Sequence, residues 1–112
     1  MTLDGIYTNH SRREPPVIAR VLRVEMTADQ IDGVVSRYRQ TVRPIHAQAA
    51  GLRKHYILAD RQNGRIMVMG VWDSQQALES VAPLLEPARE RLWAEFNQMP
   101  AVESYEVVDE LG

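Results

Sequence analysis

The chain has 112 residues, a net charge of −2 and no cysteine. This length predicts a single domain, and 45% hydrophobic with 25% charged residues is the composition of an ordinary globular protein. The slight negative charge disfavours nucleic acid and anionic membranes as partners, and the lack of thiols excludes disulfides and cysteine-based sites, which fits a reducing, cytoplasmic location.

Residues 1–16 are polar and end in Pro15-Pro16. Prolines oppose helix formation, and the segment has little apolar area to bury, so we predict a flexible tail before a domain of residues 17–112. The segment has no long apolar run, which predicts neither a signal peptide nor a membrane span.

The first predicted strand runs from Val17 to Met26 and is rich in β-branched residues. Alternate residues of a strand point to opposite faces of the sheet. Both faces of this strand are largely apolar, which predicts that both are covered. A single layer of helices covers only one face, so the second face needs another cover.

A helix is predicted to follow, because Thr27 and Gln30 have the spacing of a capping box. It extends to about Ala50, with Pro44 expected to interrupt it and Gly51 to end it. Its apolar residues recur at helical spacing and predict one buried stripe. They are Ile31, Val34, Val35, Tyr38, Val42, Ile45 and Ala49.

Two further strands are predicted from Leu52 to Ala59 and from Arg65 to Trp72. Asn63-Gly64 between them is suited to the positive φ angles of a tight reversal. The two segments therefore predict an antiparallel pair joined by a short loop.

A second helix is predicted to begin at a cap formed by Asp73 or Ser74. Pro83 and Pro87 are expected to split it into two pieces. Its apolar stripe consists of Ala77, Leu78, Val81, Leu85, Ala88, Leu92 and Phe96. The last strand is predicted from Val102 to Asp109.

This element order, strand-helix-strand-strand-helix-strand, predicts a ferredoxin-like α+β fold with an antiparallel sheet and both helices on one face. The open face is apolar, and a two-fold homodimer that buries about 800 Å² per partner is the commonest way to cover it. We therefore expect a dimeric α/β barrel, joined through the open sheet face. A monomer that binds RNA on this face needs aromatic residues on its central strands, and the first strand has none.

Three short motifs carry a resemblance to a known family. Ala50-Gly51-Leu52 leads into the second strand, and Trp72-Asp73-Ser74 with Gln76-Ala77-Leu78 opens the second helix. Over about residues 17–110, the chain resembles the dimeric α/β-barrel superfamily, and within it the antibiotic-biosynthesis-monooxygenase-like branch. These motifs are more specific for the fold than for a reaction.

The resemblance implies several functions. Some members oxygenate polycyclic phenols without metal or flavin, some degrade haem, some isomerise or cyclise small molecules, and others have no known activity. Haem-degrading members use an asparagine on the first strand and a tryptophan and an iron-ligating histidine on the second helix. Residues 17–26 here lack asparagine and residues 74–96 lack histidine. The resemblance therefore implies a cofactor-independent monooxygenase-like enzyme, without metal, that acts on a small aromatic or polyketide-type molecule.

Three residues are candidates for acid–base chemistry. His46 follows Val42 by one helical turn and can face the cavity as a base. The alternative that we favour is a partly exposed histidine near a helix end. His55 and Tyr56 point to opposite faces of one strand, so one of them faces the helices. In a pocket, Tyr56 donates to a substrate oxygen and His55 takes a phenolic proton, whereas both are also ordinary polar residues for an edge strand.

Arg20 lies in a predicted central strand, where a buried guanidinium needs a partner. It can orient a substrate anion, but a structural ion pair with Glu106 or Glu103 is the favoured interpretation. Trp72 can form an aromatic pocket wall, although a place in the core is commoner for such a residue.

Tyr38 and Met69 complete the predicted cavity, with the dimer core as the alternative for Met69 and the helix core for Tyr38. The candidates are thus His46, Tyr56 and Arg20 for catalysis, and Trp72, His55, Tyr38 and Met69 for substrate binding. The three histidines do not have a recognised metal-binding spacing. The alternative function is a non-catalytic dimer that binds a small ligand or acts in stress response.

Overall fold

The computed structural model describes residues 14–111, so the prediction for most of the tail lies outside the described residues. The described chain forms four strands and three helices. They are β1 (Ile18–Glu25), α1 (Ala28–Thr41), α2 (Arg43–Ala47), β2 (Leu52–Asp60), β3 (Arg65–Trp72), α3 (Gln75–Glu95) and β4 (Val102–Glu106). The predicted element order is confirmed, although β4 ends before the expected Asp109.

The four strands form one sheet in the order β2-β3-β1-β4, and all neighbouring strands are antiparallel. This is the predicted ferredoxin-like α+β fold. β1 and β3 are central, whereas β2 and β4 are the edges. Within residues 14–111, no helix combines the length and apolar character that crossing a membrane requires.

The hydrophobic core lies between the sheet and the helices. From the sheet it contains Leu22, Val24, Ile66 and Trp72, and from the helices Ile31, Val34, Leu78, Leu85, Ala88, Leu92 and Trp93. The opposite face of the sheet is also rich in apolar side chains, as predicted. Tyr56, Leu58 and Tyr105 are exposed there.

The first helical segment is interrupted at Val42, two residues before Pro44, as expected. The predicted capping box at Thr27 is present, with both of its hydrogen bonds to Gln30. Val42 is buried and α2 restarts immediately after it. His46 belongs to this second helical segment.

The expected split of the second helix is wrong, because α3 is continuous through Pro83 and Pro87. The two prolines are one turn apart and both are exposed, so they share the solvent side of the helix. A proline has no N–H group, so the carbonyl four residues before it lacks its helical hydrogen bond. On the solvent side, water can bind these carbonyls. Leu85 and Leu92 are buried on the other side and hold the helix against the sheet.

Gly51, directly before β2, contacts the start of α3. Its carbonyl accepts a hydrogen bond from the Asp73 amide at 2.8 Å. A Cβ atom at this position would lie 2.3 Å from the Cβ of Ala77, so only glycine permits this approach. The neighbouring Ser74 caps α3 by accepting from the Ala77 amide.

Candidate functional site

The floor of the candidate site is a row of three residues across the sheet. Arg20 on β1 lies opposite Gly70 on β3, which lies opposite His55 on β2. A Cβ at Gly70 would meet Trp72 Nε1 at 3.2 Å and His55 Cδ2 at 3.5 Å. The missing side chain of Gly70 thus leaves a cavity of about 40 Å³, whose lining also includes His46.

Tyr38, His46 and His55 form a hydrogen-bonded group, which we call the Tyr–His–His cluster. The Tyr38 hydroxyl lies 2.8 Å from Nδ1 of His46 and 3.2 Å from Nδ1 of His55. The Tyr38 and His55 rings are stacked, with centroids 5.1 Å apart and planes within 4°. Residues from α1, α2 and β2 therefore meet at one point.

The two hydrogen bonds constrain the protonation of the cluster. A neutral phenol has one proton to donate, so it can donate to only one imidazole. The other imidazole must donate its own Nδ1 proton to the phenolic oxygen. When both rings are neutral, one then carries its proton on Nε2 and the other has a lone pair there. The cluster thus offers one base and one hydrogen-bond donor.

Burial keeps both imidazoles neutral. It lowers the pKa of His46 to about 4, with smaller contributions from the nearby His55 and Arg89. Burial also lowers the pKa of His55 to about 4, and it raises the pKa of the Tyr38 phenol. Among residues 14–111, no three potential ligands are grouped so that they could hold a metal ion. Because burial keeps both imidazoles and the phenol neutral at neutral pH, the cluster is an uncharged acid–base system.

Arg20 approaches Glu86 of α3, with 3.7 Å between Nη2 and Oε2. The guanidinium of Arg89, one turn further along α3, contacts the other carboxylate oxygen of Glu86. Burial lowers the pKa of Arg20, and the positive charge of Arg89 lowers it further. Two guanidiniums thus share one carboxylate beside the cavity.

The predicted ion pair of Arg20 with Glu106 or Glu103 is wrong. Arg20 lies opposite Ser104, so Glu103 points to the other face of the sheet and pairs there with Arg23. Glu106 lies further along, opposite the start of β1. Sequence reasoning sought the partner on the neighbouring strand, but it lies on the helix above.

A second small cavity, of about 30 Å³, adjoins the cluster on the α1 side, and its lining includes Tyr38 and Trp93. Arg89 lines both small cavities. It also lines a groove of about 260 Å³ with Trp93, Gln98 and Met99. Arg89 and Leu22, which line all three, therefore lie between the interior of the site and this groove.

Five of the seven predicted site residues meet at this site. They are Arg20, Tyr38, His46, His55 and Trp72. Tyr56 and Met69 do not, and they lie opposite each other on the open face of the sheet. Neither side chain lines the cavity between the sheet and the helices, because side chains alternate along a strand. His55 and Gly70 take the inward positions, so their neighbours point outward.

Sequence reasoning missed Glu86, Arg89 and Trp93. The signal was present, because Arg89 falls at helical spacing between Leu85 and Leu92 and so interrupts an apolar stripe with a cation. Trp93 is buried, and within residues 14–111 its Nε1 has no hydrogen-bond partner.

Residues 17–81, more than half of the chain, match the sequence model of a family described as antibiotic biosynthesis monooxygenase. An uncharacterised protein of Mycobacterium tuberculosis is 29% identical over 91 residues, which cover 81% of this chain. The chain spans only 41% of the length of that curated relative.

Solved structures share the fold at low sequence identity. A dimeric ferredoxin-like protein from an uncultured marine organism has a TM-score of 0.67 and 17% identity, over 86% of this chain and 91% of that one. SnoaB, described as a cofactor-independent oxygenase from Streptomyces nogalater, was solved as a variant. It has a TM-score of 0.63 and 17% identity, over 87% of this chain and 96% of that one. At such identities, the similarity establishes the fold.

Proposed function

Because this chain belongs to the antibiotic biosynthesis monooxygenase family, we propose that it is a cofactor-independent oxygenase for a small aromatic molecule with an acidic C–H or O–H group. The observation that carries this proposal is the Tyr–His–His cluster. It supplies a neutral base in an apolar cavity beside the cations Arg20 and Arg89. SnoaB, which shares the fold, is described as an oxygenase of this class.

The first step is removal of a proton from the substrate. The free Nε2 lone pair of His46 or His55 accepts it, and the substrate becomes a delocalised carbanion or enolate. The guanidinium groups of Arg20 and Arg89 stabilise the negative charge that develops. Trp72 provides an aromatic edge near the imidazole of His46, with ring centroids 6.2 Å apart.

The substrate itself then reduces dioxygen. The carbanion gives one electron to O₂, and the resulting radical and superoxide combine to form a C–O bond. The peroxide takes the proton back from the imidazolium, so that the base is regenerated. The O–O bond then breaks as the same carbon loses its remaining hydrogen, which leaves with the distal OH group as water, and the carbon becomes a ketone. The protein orients the substrate and excludes solvent during these steps.

The substrate needs more space than the resting cavities offer. Pockets for small molecules usually measure about 300–1,000 Å³, whereas the two inner cavities measure about 40 and 30 Å³. A new rotamer of Arg89 would join them to the groove of about 260 Å³. Both Arg89 and its partner Glu86 lie on α3, so this opening changes side-chain positions and does not require a strand or helix to shift.

The second part of the proposal is a homodimer through the open sheet face. Tyr56, Leu58 and Tyr105 are exposed there, beside the half-buried Met67 and Met69. A groove of about 540 Å³ at one end of this face offers a docking surface that contains both charged and apolar residues. A dimeric protein of the same fold supports this arrangement. The dimer would place Tyr56 and Met69 in the interface.

The small resting volume also fits the alternative function, a non-catalytic dimer that binds a small ligand. The polar side chains in the cavity favour the enzyme, because a site for an apolar ligand has no need of two linked imidazoles. Measurement of turnover distinguishes the two functions.

Oxygen uptake with a panel of anthrones and hydroquinones tests the enzyme. We expect one O₂ consumed per ketone formed, and a loss of kcat of at least about 10²-fold in His46→Ala and His55→Ala. Tyr56→Phe is the matched control, because Tyr56 lies on the other face of the sheet, and it should retain full turnover. Unchanged turnover in both histidine variants, or absence of oxygen uptake with substrates that bind, would contradict the proposal.

A further inference from the structure

The inner cavities have an unbalanced charge. Arg20 and Arg89 both line the cavity above Gly70, and Arg89 also lines its neighbour. The other lining residues are the Tyr–His–His cluster and apolar or small residues, and neither lining contains a carboxylate. Two cations thus face a space whose remaining polar groups are uncharged at neutral pH.

Glu86 compensates for only one of these charges. It contacts both guanidiniums but lines the outer surface near Arg20 rather than the inner cavity. The side chains of Arg20 and Arg89 are only 13% and 21% exposed, against 38% for Glu86. A half-buried cation without its own counter-ion is unfavourable unless another anion joins it.

Trp93 adds an unsatisfied hydrogen-bond donor to this excess of positive charge. Its Nε1 is buried and has no hydrogen-bond partner among the residues that the structure describes. Trp93 lines both the inner cavity beside Tyr38 and the groove beyond Arg89. A buried N–H group without an acceptor usually indicates a missing partner. The unsatisfied N–H group of Trp93 and the uncompensated positive charge of Arg20 and Arg89 therefore lie in the same part of the molecule.

We propose that Arg20 and Arg89 form an anion subsite, and that the substrate of the proposed oxygenase is therefore a planar aromatic acid whose carboxylate binds between these two side chains. Glu86 holds the guanidiniums in the empty site, and the carboxylate of the ligand replaces it as their partner. Once the Arg89 side chain has opened the cavity, the aromatic ring lies over Gly70, within reach of the imidazoles of His46 and His55. The identity of this ligand as a substrate rests on the proposed function, whereas its binding between the two arginines does not.

A matched pair of ligands tests the subsite by calorimetry without oxygen. The probes are 1-hydroxy-2-naphthoate and its neutral methyl ester. We expect the acid to bind the wild-type protein at least about tenfold more tightly than the ester, because only the acid can form charge-assisted hydrogen bonds with the guanidiniums. Arg89→Gln should abolish this preference. Arg91→Gln, which removes an exposed arginine of the same helix, should leave it intact.

Glu86→Gln tests the subsite through an expected gain, not a loss, of affinity for the acid. It removes the competing carboxylate, so the acid should bind at least about threefold more tightly while binding of the ester stays unchanged. A purely structural role of the Arg20–Glu86–Arg89 group predicts the reverse, because loss of Glu86 would then disorder the site and weaken both ligands. Circular dichroism checks that each variant is folded.

The outcomes separate the subsite from the reaction. Equal affinity for acid and ester, no binding of either at millimolar concentration, or weaker binding of the acid by Glu86→Gln would overturn the subsite. Selective binding of the acid without oxygen uptake by any substrate would leave the subsite standing and refute the oxygenase. Turnover of neutral substrates with no preference for acids would support the oxygenase and refute the subsite.

Discussion

The rings of His46 and His55 lie with their centroids 4.3 Å apart, although one belongs to a short helix and the other to an edge strand. Tyr38 connects them through its hydroxyl group. Two imidazoles this close cannot both be protonated without strong repulsion. The pair is therefore coupled, and a change of proton position on one ring constrains the other.

The buried imidazoles predict that the protein loses stability in mildly acidic solution. In the folded chain the pKa of each is about 4, against an ordinary value of 6.5. Above pH 6.5 both the folded and the unfolded state are neutral at these rings. Between pH 6.5 and 4 only the unfolded state takes up protons, so the free energy of unfolding falls by at most about 1.4 kcal/mol per pH unit for each ring.

Urea unfolding between pH 7.5 and 4.5 measures this slope. His55→Gln should reduce it by about half. The surface carboxylates of Asp32 and Asp60 have pKa values below their usual range, so their contribution is lost at lower pH. A flat profile between pH 6.5 and 4.5 would show that the imidazoles are accessible to protons in the folded state.

Tyr38→Phe is expected to uncouple the two histidines while it keeps the core packed. The stacked ring remains, so the stability should fall by only about 1 kcal/mol, the typical contribution of a hydrogen bond. Turnover should fall by about tenfold or more, because nothing then fixes which ring has its free lone pair on Nε2. Nitrogen NMR of the imidazoles reports the tautomers directly. Tyr56→Phe is the control, and full activity in Tyr38→Phe would exclude a role for the coupling.

Gly51→Ala is expected to destabilise the fold by about 1–3 kcal/mol, the usual range for overpacking. The new methyl group would collide with Ala77 at the first turn of α3. Ala77→Gly alone should reduce stability by about 1 kcal/mol through helix propensity. In the double variant the collision disappears, so its loss should be smaller than the sum of the two single losses. Additive losses in chemical denaturation would contradict the close contact.

Met69→Glu is expected to convert the proposed dimer into a monomer. It places a charge at the centre of the open sheet face, opposite Tyr56 on the neighbouring strand. Leu84→Glu is the matched control, because Leu84 is exposed on the solvent side of α3. Light scattering at micromolar concentration should show the monomer mass only for the first variant. A wild-type monomer would refute the dimer itself.

Most of the fold was predictable because its signals are local. The capping box at Thr27, the break near Pro44 and the reversal at Gly64 each depend on a few adjacent residues, and the structure contains all three. The continuity of α3 through Pro83 was not predictable in this way. It depends on which side of the helix the prolines occupy and on the sheet that packs against the other side.

The site was predictable only in part, because it depends on strand parity and on contacts between distant elements. The pattern of β2 showed that His55 and Tyr56 point in opposite directions, but not which of them faces the helices. The partner of Arg20 lies on α3, and no local pattern connects Arg20 to Glu86. The hydrogen bonds of Tyr38 likewise join three elements that only the tertiary structure brings together.

The small volume above Gly70 has a practical consequence for work with ligands. About 40 Å³ accommodates a water molecule or dioxygen but not an aromatic ring, so the interior must widen before any substrate enters. We therefore expect slow association that does not reach the diffusion limit. A crystal contact that holds the Arg89 side chain in place would block this widening, which favours growing crystals from the preformed complex over soaking ligands into empty ones.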